Sequence, residues 1–188
     1  MITHCYNLSD EEVFRRYYLY LFEKREGYDK PTERAKEYTT AYNYLINKGK
    51  SQVYAHQYAR LGDGRDFHET YLQEYAAAYE MAFNRSLGDT YAEYFASILG
   101  KRIADVKINC DIDEDDEATD FDFEIINAQR KASEYILDHK LNDIERFCKI
   151  YENIHLNTYF PDEGWPQGTE EEIDKVVLSN TLKKFSEY

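Results

Sequence analysis

The sequence predicts an all-α fold, and three observations carry that expectation. Apolar residues recur at helical spacing along most of the chain. Glycines and prolines fall where helices should stop and restart. Strand-like alternation reaches only the five residues Asp120–Glu124, beside a strong helical period. The 188 residues suit one domain of seven or eight packed, mostly antiparallel helices with an acidic interhelical loop.

The elements follow in order. Ser9-Asp10-Glu11-Glu12 has the form of a capping box, with Leu8 and Val13 placed as a hydrophobic staple. That helix should reach Glu26 and stop at Gly27. Pro31 suits a first helical position, and a second helix can run to Lys48 before Gly49. A short third helix, Ser51 to Leu61, should end in the Gly62-Asp63-Gly64 turn. Asp66 followed by Glu69 predicts the start of a fourth helix running to Leu87. Asp89 opens a fifth, which passes through Gly100 to about Lys107.

Thr119 and Asp122 restart the pattern, and a helix is expected over about Asp120 to Asp138. Leu137, Leu141, Ile144, Cys148, Tyr151 and His155 then follow at spacings of four and three, a short a/d seam. Pro161 and Pro166 bracket Trp165 in an irregular loop. Thr169 to Glu172 is a last capping box, before a helix to about Phe185.

A loose echo links three of these segments. Tyr54-Ala55…Tyr58-Ala59, Tyr75-Ala76 after Tyr71, and Tyr91-Ala92…Phe95-Ala96 each pair aromatics near i,i+4 with alanines beside them. The intervals differ, so the expectation is a set of similar hairpins rather than a regular solenoid. Such stripes are expected to be core, with alanine allowing close helix approach. Tyrosine is also favoured at interfaces, and a buried hydroxyl needs a partner. Nineteen tyrosines therefore also raise a self-complementary homo-oligomer as the alternative reading.

Charge divides the chain. Residues 1–104 hold 15 acids and 14 bases, whereas residues 105–188 hold 22 acids and 9 bases. The expected layout is a near-neutral, Tyr-rich helical body over 1–108 and an acidic loop plus C-terminal helices over 109–188. A pI near 4.8 disfavours direct contact with nucleic-acid phosphates and favours encounter with a basic protein surface. No window has the apolar run of a membrane span, and Met1–Asp10 lacks a charged-then-apolar leader pattern. Cys5, Cys110 and Cys148 have no CxxC spacing, which suggests free thiols and a cytoplasmic location.

The stretch Asp111–Glu124 holds nine acids and no base. It reads as a solvated loop whose last acids favour the next helix N-terminus. It also reads as a row of carboxylates imitating nucleic-acid phosphate. Asp111, Asp113, Asp115 and Asp122 form a weak calcium candidate. Their spacing follows an EF-hand loop, but Asp116 stands where glycine is needed and Asp122 where a bidentate Glu is needed.

Enzyme signatures are sparse. His68-Glu69 begins an HExxH motif, but Leu72 replaces the second histidine. Glu152 and His155 form one ExxH pair, where a helical di-iron site needs two. A metal enzyme using His56, His68 and His155 would need them to converge in space. The sequence leads instead to a non-enzymatic acidic interaction protein with no cofactor, most sharply an inhibitor or immunity-type protein. Asp111, Asp113, Glu114, Asp115, Asp116 and Glu117 are the expected partner-binding carboxylates, and Trp165 is the candidate anchor.

Overall fold

A computed structural model describes residues 9–23, 31–63, 67–110, 120–161 and 167–187. Within them lie eight α-helices and no strand. They are α1 (Asp10–Glu23), α2 (Pro31–Asn47), α3 (Gln52–Gly62), α4 (Glu69–Asn84), α5 (Asp89–Asn109), α6 (Asp120–His139), α7 (Ile144–Tyr159) and α8 (Glu170–Ser186). From α1 to α8, each helix packs chiefly on its neighbours in the chain, and α5 also meets α7. Short connections between neighbours make such pairs antiparallel.

Two apolar clusters fill this array. One joins α1, α2 and α3 around Tyr17, Tyr38 and Tyr42. The other joins α4 through α8 around Phe95, Leu99, Ile136 and Phe147. Helix α4 belongs to both, with Ala76 facing the first cluster and Tyr75, Tyr79 and Ala82 the second. The Tyr/Ala stripes supply much of this packing. Tyr38, Tyr42, Tyr54, Tyr75, Tyr79 and Phe95 are all buried, as are Ala55, Ala59, Ala92 and Ala96. The closest approach falls at Gly100, where an added Cβ would lie 2.7 Å from the Tyr75 Cα. Ala92, Ala96, Gly100 and Ala104 recur every four residues on α5. A strip of that kind lets α4 and α5 meet nearly backbone to backbone.

Several tyrosine hydroxyls, from buried Tyr17 and Tyr38 to exposed Tyr94, find partners inside the chain. Tyr91 donates to the Leu141 carbonyl at 2.9 Å and Tyr94 to that of Asn142 at 3.1 Å. Tyr17 donates to Asp63, and Tyr38 meets His56 Nδ1 at 2.7 Å. Carbonyls and carboxylates at helix junctions thus supply partners for these hydroxyls within the chain.

Several expected boundaries hold. Gly49 ends α2 with φ of +78°, and the Gly49 and Lys50 amides bond back to Ile46 and Leu45. The Thr169–Glu172 capping box is complete, with hydroxyl and carboxylate each accepting from the other residue's backbone. Others shift. Asp66 lies outside the described residues, and the N-cap of α4 is His68, whose Nδ1 accepts from the Thr70 amide at 3.3 Å. Helix α4 stops at Asn84 rather than Leu87, because Ser86 turns left-handed at φ 57°. The seam from Leu137 to His155 is broken between two helices. Lys140 adopts φ 49° and Leu141 bonds back to Ile136, so α6 ends in a C-capping turn before α7 begins. The later seam positions Ile144, Cys148, Tyr151 and His155 do form the buried stripe of α7. Gly27 and Leu8 lie outside the described residues.

Candidate functional site

The expected partner-binding residues Asp111, Asp113, Glu114, Asp115, Asp116, Glu117 and Trp165 lie outside the described residues. So do three of the four calcium candidates. The fourth, Asp122, sits in the first turn of α6 and accepts from the Cys110 thiol at 3.1 Å. That contact ties the end of α5 to the start of α6. It also pushes the Cys110 thiol above its usual range, because Asp122 favours the protonated form.

The carboxylates of the acidic half are largely compensated where they are described. Arg102 of α5 meets Glu152 at 2.6 Å, and Gln129 donates to the same carboxylate while accepting from Arg102. Arg85 reaches Asp138 at 3.2 Å. Lys131 sits between Glu170 and Asp174 at 2.9 and 2.8 Å. Burial works against its charge, but the two carboxylates outweigh that and hold the amine above its ordinary range. Glu145 and Glu171 pair with lysines one turn along their own helices. An open cleft of about 470 Å³ between α7 and α8 follows the same rule. Its lining Lys149 is paired with Glu145, and its Arg146 donates to the Phe185 carbonyl.

The densest carboxylates of the sequence stand elsewhere. Residues 111–119 carry six carboxylates and no base, and residues 162–166 carry two more. Together they hold eight of the net thirteen negative charges of residues 105–188.

Next to that stretch, the first turns of α6 present aromatic rings. Phe121 is 47% exposed and packs against Phe160, 37% exposed, with ring centroids 5.4 Å apart. Phe123 is 52% exposed. Beneath them, Glu124 bonds to His155 Nε2 at 2.7 Å, which fixes α6 to α7. His155 is fully buried and stacks on Tyr159, and among the described residues its Nδ1 has no hydrogen-bond partner. The exposed phenylalanines were not foreseen. Their only trace in the sequence is the alternation Asp120–Glu124, where apolar and acidic residues alternate in what proves to be a helix.

Residues weighed for chemistry have other tasks. His56 meets Tyr38, His68 caps α4, and His139 Nδ1 approaches the Tyr135 carbonyl at 3.0 Å. Cys148 is buried on the α7 stripe, and burial pushes its thiol up to about 12, as suits an inert core thiol. Among the described residues, no three His, Cys, Asp or Glu side chains converge in a metal-holding geometry. Among the described residues, no helix is long and apolar enough to cross a membrane.

No protein-family model matches this chain, and no curated protein or solved structure matches it either.

Proposed function

We propose that this chain is a non-enzymatic acidic interaction protein that engages a basic surface on another protein. Its sharpest form is an inhibitor or immunity-type protein occupying a groove that otherwise holds nucleic-acid phosphate. One observation carries the reading: most described acids of residues 120–187 are already paired within the fold, while the densest carboxylates, Asp111–Glu117, contain no base. A charge run of that kind acts on encounter, raising the association rate with a cationic partner at low ionic strength.

The test takes the protein that co-purifies from the native cell and follows its association across salt concentrations. Reversing Asp113, Glu114, Asp115, Asp116 and Glu117 to lysine should lower the association rate by roughly tenfold or more at low salt, and by less at high salt. An association rate indifferent to the reversal would remove this segment from binding. The Tyr/Ala stripes pack the chain's own helices, so self-assembly would have to use other surfaces.

A further inference from the structure

Two buried tyrosines of different helices lie ring against ring. Tyr17 of α1 and Tyr38 of α2 have centroids 3.7 Å apart and planes 7° apart, and each residue is 1% exposed. The other tyrosine–tyrosine stacks among the described residues lie within single helices, from Tyr17–Tyr20 at 5.7 Å to Tyr54–Tyr58 at 6.4 Å. A near face-to-face sandwich is the arrangement that neutral rings least favour. Each phenol of the pair also has its own proton acceptor on or beside α3. Tyr17 donates to the Asp63 carboxylate, and the Tyr38 hydroxyl lies 2.7 Å from His56 Nδ1. Burial lowers the His56 pKa to about 4, so its ring is neutral at pH 7 and one of its nitrogens can accept.

We infer that Tyr17 and Tyr38 form an oxidative modification site: a one-electron oxidant, such as a high-valent haem or a photo-oxidised metal complex, joins their rings by a carbon–carbon bond into an intrachain dityrosine. The half-buried Tyr20, stacked on Tyr17, is the entry point, because the pair itself has almost no surface. Each ring of the pair gives one electron to the oxidant, so two oxidant equivalents are reduced. As each electron leaves, the phenol proton passes to Asp63 or to His56. The two radicals then pair at ring carbons beside the oxygens. Each ring moves its displaced hydrogen to its own oxygen and recovers its phenol. Two electrons and two protons leave in all. The bond would staple α1 to α2, the helix on which α1 chiefly packs. This site stands apart from the acidic stretch and does not depend on the function proposed above.

The test irradiates the full chain with a ruthenium tris-bipyridyl complex, with persulfate as the electron acceptor. The monomer band is digested with trypsin, and linked peptides are identified by mass and by dityrosine fluorescence. The expected product joins the peptide bearing Tyr17 to that bearing Tyr38, two hydrogens lighter than their sum, at about tenfold the yield of any other tyrosine link. Tyr17→Phe and Tyr38→Phe should each abolish it, and Tyr42→Phe should leave it in place. His56→Gln keeps a hydrogen-bonding side chain but cannot take up the proton, and should lower the yield about tenfold or more. Monomer links made mainly through exposed tyrosines such as Tyr44 and Tyr94 overturn the site. The parent's peptide map decides this whether or not a variant folds. A full yield in His56→Gln overturns the part given to the imidazole.

Discussion

Asp63 shows how one residue can hold three helices. It follows α3 directly and is 2% exposed. Its carboxylate accepts from the Tyr17 hydroxyl of α1 and from Arg34 Nη2 of α2 at 2.8 Å, and Arg34 also donates twice to the Asp63 carbonyl. Burial, reinforced by the Asp63 hydrogen bond, holds the Tyr17 phenol well above its usual range, so it stays a donor. Its ring stacks on Tyr38 with centroids 3.7 Å apart. Asp63→Ala should therefore cost about 3 kcal/mol in urea unfolding, because a buried guanidinium and hydroxyl lose their carboxylate. Tyr17→Phe removes one donor and should cost about 1 to 2 kcal/mol. His56 makes the same region pH-sensitive. Burial, with some help from the Arg60 charge, lowers its pKa to about 4. The unfolded chain has the ordinary value of about 6.5, so as pH falls below it the unfolded state takes up a proton that the folded state refuses. Stability is full above that value and declines towards pH 4, by up to about 3 kcal/mol from this residue. His56→Gln should flatten that part of the stability–pH curve; an unaltered slope would contradict the assignment.

At the scale of elements, glycine at position 100 would ordinarily weaken a helix, and replacement by alanine would gain about 1 kcal/mol of intrinsic propensity. Here the sign should reverse. A Cβ at 2.7 and 2.8 Å from the Tyr75 Cα and N meets backbone, which cannot rotate aside. Gly100→Ala must push α5 off α4, and the expected net loss is about 1 to 3 kcal/mol. A stabilised variant would show that the two helices tolerate separation. Thr169 tests an element end instead. Its hydroxyl accepts from the Glu172 amide, and Glu172 answers by accepting from the Thr169 amide at 2.9 Å. The backbone hydrogen bond and then the hydroxyl hold the Glu172 carboxyl below its usual range. Thr169→Ala should cost about 1 kcal/mol, with the loss confined to α8 in hydrogen exchange.

At the scale of the whole molecule, the two apolar clusters meet through α4, where α3 packs on it and Ala76 faces the first cluster. Arrays in which neighbours carry most contacts open in pieces rather than all at once. Native-state hydrogen exchange on Asp63→Ala should therefore show lost protection in α1–α3 with α5–α7 unchanged. Uniform loss across all helices would mean that the array behaves as one cooperative block. The charge distribution belongs to this scale too. Arg85 and Arg102, from the near-neutral part of the chain, cross over to Asp138 and Glu152, so the acidic half is not uniformly acidic once folded.

Helix number, helix type and most helix limits were legible in the sequence, because they depend on local chemistry: Gly49 and the Thr169 box act within one turn of themselves. Which way the stripes face was legible too, since spacing alone puts Tyr38 and Tyr42 on one side. The end of α6 near Asp138 was legible as well, but the cap of α4 and the left-handed turn that breaks the Leu137–His155 seam were not. A histidine as N-cap and a lysine in the left-handed turn are unfavoured choices that the surrounding packing has to sustain. The place of excess charge was visible in composition, but its meaning depended on which acids the fold neutralises. Only tertiary structure could decide that, because residues such as Arg102 and Glu152 stand 50 positions apart and meet solely through the packing of α5 on α7. The same holds for Phe121 and Phe160: one opens α6 and the other follows α7, and only helix packing brings their rings together at the surface.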